Sequence, residues 1–181
     1  MRGLPPNRDA VLAWGIRASL LSYMSRDPDF EIRTTEAATF TLDDGLRMPG
    51  RVDAAGVLRF EGSVVLRAHH GALVVPLVGV EIDAGALTID DPADERPPTP
   101  AGGSADLARD RPQARLGLVN LERTPDPAVG TMVFATRLAA EADALFGYNY
   151  LPDTDFDPLR LIFAPAAGLS SGASPARISF S

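Results

Sequence analysis

The 181-residue sequence contains no cysteine and no lysine. Without cysteine it can form no disulfide, hold no thiolate-bound metal and offer no thiol nucleophile. Without lysine it has no Schiff-base chemistry and no lysine grip on a nucleotide phosphate. The 17 basic residues are all arginine, and against 24 acidic ones they leave a net charge of −7 with no basic stripe. Binding a phosphate backbone needs clustered cations, so nucleic acid is not an expected partner. Long apolar runs are missing as well. The longest, "ALVVPLVGVEI", contains Pro76 and is too short to span a bilayer. The opening "MRGLPPNRDA" lacks the apolar core of a secretory signal, so the chain as written is expected to be cytoplasmic.

The usual catalytic patterns are absent too: there is no G-x-S-x-G, no H-E-x-x-H and no G-x-x-x-x-G-K. The two histidines, His69 and His70, are adjacent, and in a strand they would point to opposite faces. A zinc site would have to be completed by carboxylates. The acidic pairs Asp43-Asp44 and Asp90-Asp91 fit turns and solubility. The expectation is a protein that is not an enzyme.

What is present is 45 % hydrophobic residues with 16 glycines and 16 prolines, the composition of a turn-rich folded domain. From Asp29 onward, short segments rich in Val, Leu and Phe are separated by Asp-Gly, Pro-Gly and Ala-Gly signals about every ten residues. That rhythm predicts an all-β domain, an antiparallel sandwich or barrel-like assembly. Gly62 interrupts the alternation of "VLRFEGSVVLRA", which predicts a bulge or bend. Residues 91–113 read as a long loop and 164–181 as a loose tail, with Ile178–Phe180 as an added edge strand. One domain over 1–181, with its core at about 8–163, accounts for these features.

Two short helices are expected, at about 8–25 with Asn7 as N-cap and at about 137–147 ending at Gly147. On a helical projection of the first, Val11, Trp14, Ala18, Leu21 and Ser25 form one stripe. Leu12, Ile16, Ser19, Leu20 and Tyr23 form the opposite one, with Arg17 and Arg26 between them. A helix apolar on two sides must be covered on both. Taken singly, Ser19, Tyr23, the histidine pair and the group Phe146, Tyr148 and Tyr150 fit ordinary core or turn roles.

Their order along the chain carries more. W-G-x-x-x-S-x-x-x-Y, filled by Trp14, Gly15, Ser19 and Tyr23, resembles the opening of the HtaA-type haem-binding domain. "LRFEGSVVLRAHHGALVVPLVGVEI" is similar to that family's F-x-G-S-V-x-F-x-x-H-x-G-x-L-x-x-x-L segment, with His69 in the histidine column. "TRLAAEADALFGYNYLPDTDFDPL" is similar to L-T-x-E-G-A-x-x-F-x-G-F-Y-x-x-G-T-x-L-D-P, placing Tyr150 on the tyrosine and Asp157-Pro158 on the Asp-Pro. Asn149 stands where that pattern has an aromatic residue.

The resemblance implies an all-β fold with short helices and a protein of haem uptake. It implies Tyr23 as axial ligand of ferric haem b, His69 as its hydrogen-bonding partner, and Ser19 and Tyr150 as contacts to the haem propionates. Because the histidines are adjacent, the partner could instead be His70. Phenolate is a hard anionic donor that favours Fe(III), and tyrosine is a known proximal haem ligand. Leu12, Ile16 and Leu20 are expected to touch the macrocycle. The expected partners are haem and another haem-binding protein as donor or acceptor, with the chain a monomer or weak dimer. The family is usually exported or held at the cell surface. A β-sandwich interaction or adhesion module that has lost haem, and a tyrosinate-ligated haem enzyme, are the alternatives.

Overall fold

Burial along Asp9–Trp14 has a period of two: Ala10, Leu12 and Trp14 are buried, while Val11 and Ala13 are only partly so. The segment is therefore a strand, β1, and not the first half of a helix. The helix expected at 8–25 is confined to α1, Ala18–Met24. Asn7 does not cap it; it turns the chain into β1 with a φ of 55°. The helical period misled because β1 is covered on both edges and one full face, so its outer side chains are also half-buried. Gly15 and Ile16, the latter left-handed at φ 61°, break the chain between strand and helix.

The computed structural model describes residues 4–35, 37–93, 114–125 and 129–165. Most of the loop expected at 91–113, nearly all of the tail at 164–181 and the edge strand at Ile178–Phe180 lie outside the described residues.

The expected strands follow in order: β2 Glu31–Thr35, β3 Thr39–Thr41, β4 Gly45–Val52, β5 Leu58–Phe60, β6 Ser63–Ala68 and β7 Leu73–Leu77. After them come β8 Glu81–Asp83, β9 Ala86–Asp90, β10 Arg115–Thr124, β11 Thr131–Leu138 and β12 Asp155–Phe163. The larger sheet runs β1-β12-β11-β10-β9-β8-β5-β4, and β4 pairs back onto β1. All pairings are antiparallel, so eight strands close into a barrel-like sheet with β3 added along β4. Closure leaves β1 central: Leu12 sits opposite Leu161 on one side and Met48 on the other, all three fully buried.

Gly62, at φ 86°, is the corner at which the chain leaves the barrel strand β5 for β6. A Cβ there would lie 2.5 Å from the Thr35 carbonyl oxygen, so glycine is required. Beyond the corner, β2, β6 and β7 form a separate three-stranded sheet. Its buried Val64, Leu66 and Val75 share one core with Leu20, Leu21 and Met24 of α1. The second short helix expected at 137–147 is a pair of single 3-10 turns, Ala140–Ala142 and Ala144–Phe146, closed by Gly147 at φ 64°. Among the described residues no helix is long and apolar enough to cross a membrane.

Candidate functional site

The Trp-Gly and Asp-Pro motifs meet, and together they fix where α1 begins. Between β11 and β12 the register slips by one residue at Phe134/Thr136, so that Asp157-Pro158 forms a bulge. Pro158 has no N–H to give the ladder, and the freed Asp157 carbonyl accepts two other donors. These are the Trp14 indole Nε1–H at 2.8 Å and the Thr136 hydroxyl at 2.9 Å. The Asp157 N–H in turn bonds the Ile16 carbonyl at 2.9 Å. Gly15 packs on the same residue; a Cβ there would approach Asp157 Oδ2 to 2.7 Å. The buried lock holds the strand-to-helix turn, so the direction of α1 is set before any ligand is considered.

From that start, α1 buries Leu20, Leu21 and Met24 and leaves Ser19 and Tyr23 outward. Tyr23 is 52 % exposed, high for an aromatic ring. Its ring lies 4.7 Å, centroid to centroid, from that of His69, with the planes 40° apart. The histidines do not sit in a strand. Beyond the end of β6, His69, His70 and Gly71 have φ of 54°, 54° and 86°, and the resulting left-handed turn brings His69 back over α1.

Asp27, just past the helix, holds that turn. One of its oxygens accepts the His69 backbone N–H and lies 2.6 Å from His69 Nδ1. The other accepts the Asp29 N–H at 2.9 Å. The Asp29 N–H above all, with that of His69 and the nearby imidazoles, holds the Asp27 carboxyl below the usual carboxylate range against the opposing effect of burial. His69 Nε2 is buried and, among the described residues, has no hydrogen-bond partner. His70, by contrast, has a side chain 90 % exposed and pairs with Asp29 at 2.5 Å. Between the two histidines, His69 is the one against Tyr23.

Ser19 and Tyr150 are joined through Arg17. The Arg17 Nε–H donates to Ser19 Oγ at 2.9 Å, and another guanidinium N–H bonds the Asp155 carbonyl. The guanidinium carbon lies 4.8 Å from the centroid of the Tyr150 ring and 5.5 Å from that of Phe156. Tyr150 also packs edge-on against Phe146 and Phe156. Two grooves meet at Tyr23. One, about 240 Å³, is lined by Leu20, Tyr23, Leu73, Asn149 and Tyr150; the other, about 540 Å³, by Tyr23, Arg26, Asp27, Pro28 and the two histidines.

Some expected contacts are elsewhere. Leu12 and Ile16 are fully buried in the barrel and line neither groove; of the three aliphatic residues expected against a ligand, only Leu20 does. Asn149 folds back, its side-chain N–H donating to the Phe146 carbonyl at 2.9 Å, and presents a polar edge to the groove. Tyr148 and Asp153 occupy glycine positions of the resembled pattern, and both are left-handed, at φ 58° and 64°. Asp27 and Arg17 were not picked out from sequence. The visible signals are an Asp-Pro-Asp shortly after the helix, a His-His doublet, and a lone cation between Trp-Gly and Ser19. Among the described residues no three His, Cys, Asp or Glu side chains gather to hold a bare metal ion.

Comparison with known proteins bears on the fold and the family. No curated protein matches the sequence. Solved structures do: the C-terminal domain of HtaA from Corynebacterium glutamicum has a TM-score of 0.62 and 18 % identity, covering 87 % of this chain and 98 % of that one. The N-terminal domain of the same protein gives 0.59 and 16 %, covering 90 % and 100 %. The haem-binding protein HtaB from the same organism gives 0.56 and 14 %, covering 87 % and 94 %. At these identities the likeness is one of fold. The family model described as Htaa matches residues 9–162, from the first barrel strand to the last, and the chain belongs to the HtaA family.

Proposed function

We propose that this protein binds ferric haem b at Tyr23, through the tyrosinate, and serves haem capture, transfer or storage without catalysis. The observation that carries the reading is the pairing of a half-exposed Tyr23 with a buried, unpartnered His69 Nε2. An unpartnered imidazole nitrogen in a ring packed against the phenol ring is a candidate acceptor for the phenol hydrogen. Haem brings a ferric ion, which a hard phenolate matches.

The remaining residues fit the rest of such a ligand. Leu20 and Leu73 offer apolar contact in one groove, and Tyr23 lies between the two grooves where a planar molecule could span both. Ser19 and Tyr150 would take the propionates, with Arg17 between them. In a chain of net charge −7, a dianionic ligand gains little from the overall field, and a local cation matters more. Residues 1–181 act as one domain with its core at 8–163, as a monomer or weak dimer, exchanging haem with another haem protein. The polar Asn149 edge favours one other reading, an interaction module that has kept the fold and lost haem.

Hemin titration of the purified protein separates the two. A saturable Soret band at one haem per chain, with charge-transfer bands of ferric tyrosinate, supports haem binding. Absorbance no different from hemin with an unrelated acidic protein supports the interaction module. Reduction to Fe(II) is expected to weaken binding, because it removes the match to phenolate.

A further inference from the structure

Two Asp–His pairs stand side by side, and their burial differs. Asp29 and His70 are both exposed on the surface, whereas the Asp27 side chain is only 7 % exposed. The backbone N–H of Asp29 and that of His69 both donate to the Asp27 carboxylate, so its position is fixed independently of the imidazole. An ionised carboxylate has acceptors only. His69 Nδ1, 2.6 Å away, must therefore carry the hydrogen of that contact. In a neutral imidazole this leaves Nε2 as a bare lone pair, and Nε2 is the buried atom without a partner beside Tyr23.

We propose that Asp27 is a positioning residue that fixes His69 in the Nδ1–H tautomer and thereby makes Nε2 the acceptor for the Tyr23 phenol. The role rests on Tyr23 being the ligand, as proposed above, but the tautomer itself does not. The arrangement parallels buried carboxylates that orient a histidine toward a reacting hydroxyl, where the amide replacement yields the wrong tautomer. The backbone supports it: two consecutive non-glycine residues are left-handed, and Asp27 holds the first of them through its N–H. Among the described residues, Asp27 is the polar partner of the His69 ring.

The test is long-range ¹⁵N–¹H NMR of the haem-free full chain, with His70→Gln used to assign the His69 ring. The expected result is a protonated Nδ1 and an unprotonated Nε2 in the wild type. Asp27→Asn, whose amide can donate to Nδ1, should move the hydrogen to Nε2; Asp29→Asn should leave His69 unchanged. The same proteins are then loaded with hemin and mixed with excess apomyoglobin. Loss of the outer-shell partner should speed haem transfer from Asp27→Asn by about tenfold, while Asp29→Asn matches the wild type. A wild-type spectrum with Nε2 protonated overturns the proposal, whether or not the variants fold. So does an Asp27→Asn protein that changes tautomer and releases hemin at the wild-type rate. If no protein takes up hemin, the Tyr23 site falls, and the wild-type spectrum still decides the tautomer.

Discussion

The ring of Tyr23 lies 4.7 Å from that of His69, and the two residues come to this contact from distant parts of the chain, one from α1 and one from the turn after β6. Because the half-exposed phenol has little packing to lose, Tyr23→Phe should leave the fold intact and, by removing the ligand itself, reduce hemin affinity by more than the roughly 10- to 100-fold that loss of a ligand's hydrogen-bonding partner costs. His69→Ala should cost about 10- to 100-fold, as loss of a group that orients a metal ligand does. His70→Ala should change affinity by no more than about twofold, since its side chain is 90 % exposed and turned to Asp29, and exposed substitutions are usually worth about 0.5 kcal/mol or less. Competition for hemin across the three variants measures all of this; a larger loss in His70→Ala than in His69→Ala would reverse the assignment.

Arg17 is expected to be needed for two purposes at once. It ties Ser19 to the backbone of β12 and covers the Tyr150 and Phe156 rings. Arg17→Ala should lower stability by about 1–2 kcal/mol, from two exposed hydrogen bonds of the guanidinium and its contacts with the two rings. Arg17→Gln keeps a donor but not the charge. It should recover part of the stability while still retaining hemin less well than the wild type. Chemical denaturation of the haem-free proteins, set beside hemin retention, separates the two effects.

How much of this could be read from the chain depended on the range of the interactions. The strands after Asp29, the corner at Gly62 and the closing Gly147 are local signals, and each appears where turn chemistry places it. The β1 segment was misjudged because its partners are distant: Leu12 is held by Met48 and by Leu161, and nothing within ten residues of it reports that pairing. Its half-buried alternate residues make a period of two resemble a helix apolar on two faces. For the candidate site, the motifs point to Tyr23, His69, Ser19 and Tyr150 as candidates, and the structure adds Asp27 and Arg17, which contact His69 and Ser19. Both touch the candidate residues through long-range contacts, which leave little trace in spacing.

Tyr148 offers a test of backbone strain. It is left-handed at φ 58°, and its side chain is exposed, so it has the cost of that conformation without much packing in return. Left-handed backbone costs a non-glycine residue about 1–2 kcal/mol, partly offset in glycine by greater freedom when unfolded. Tyr148→Gly should therefore raise stability by about 0.5–1 kcal/mol, whereas Tyr148→Ala should not. Urea unfolding midpoints decide it; equal midpoints for the Gly and Ala variants would mean the conformation carries no penalty.

Acid stability should depend on Asp53, far from the candidate site. Its carboxylate pairs with Arg59 and accepts the N–H groups of Val57 at 3.0 Å and Ala55 at 2.9 Å across the β4–β5 turn. The Arg59 hydrogen bond first, then the Val57 N–H, holds its pKa below the ordinary value. A folded pKa below the unfolded one means stability that is present above about pH 4 and lost as the pH falls through the folded value. Asp53→Asn should be less stable than the wild type at pH 7, and the gap should close below about pH 3–4. Thermal unfolding at several pH values shows this directly; a constant gap down to pH 2.5 would contradict it.

If Tyr23 supplies the ligand, the other two of the chain's three tyrosines are controls for it. Resonance Raman spectroscopy of the hemin complex, excited in the charge-transfer band, reports phenolate ring modes only from a tyrosine bound to iron. Those modes should be present in the wild type, in Tyr148→Phe and in Tyr150→Phe, and absent from Tyr23→Phe. Their persistence in Tyr23→Phe, or their loss in either of the other variants with Tyr23 intact, would contradict the account.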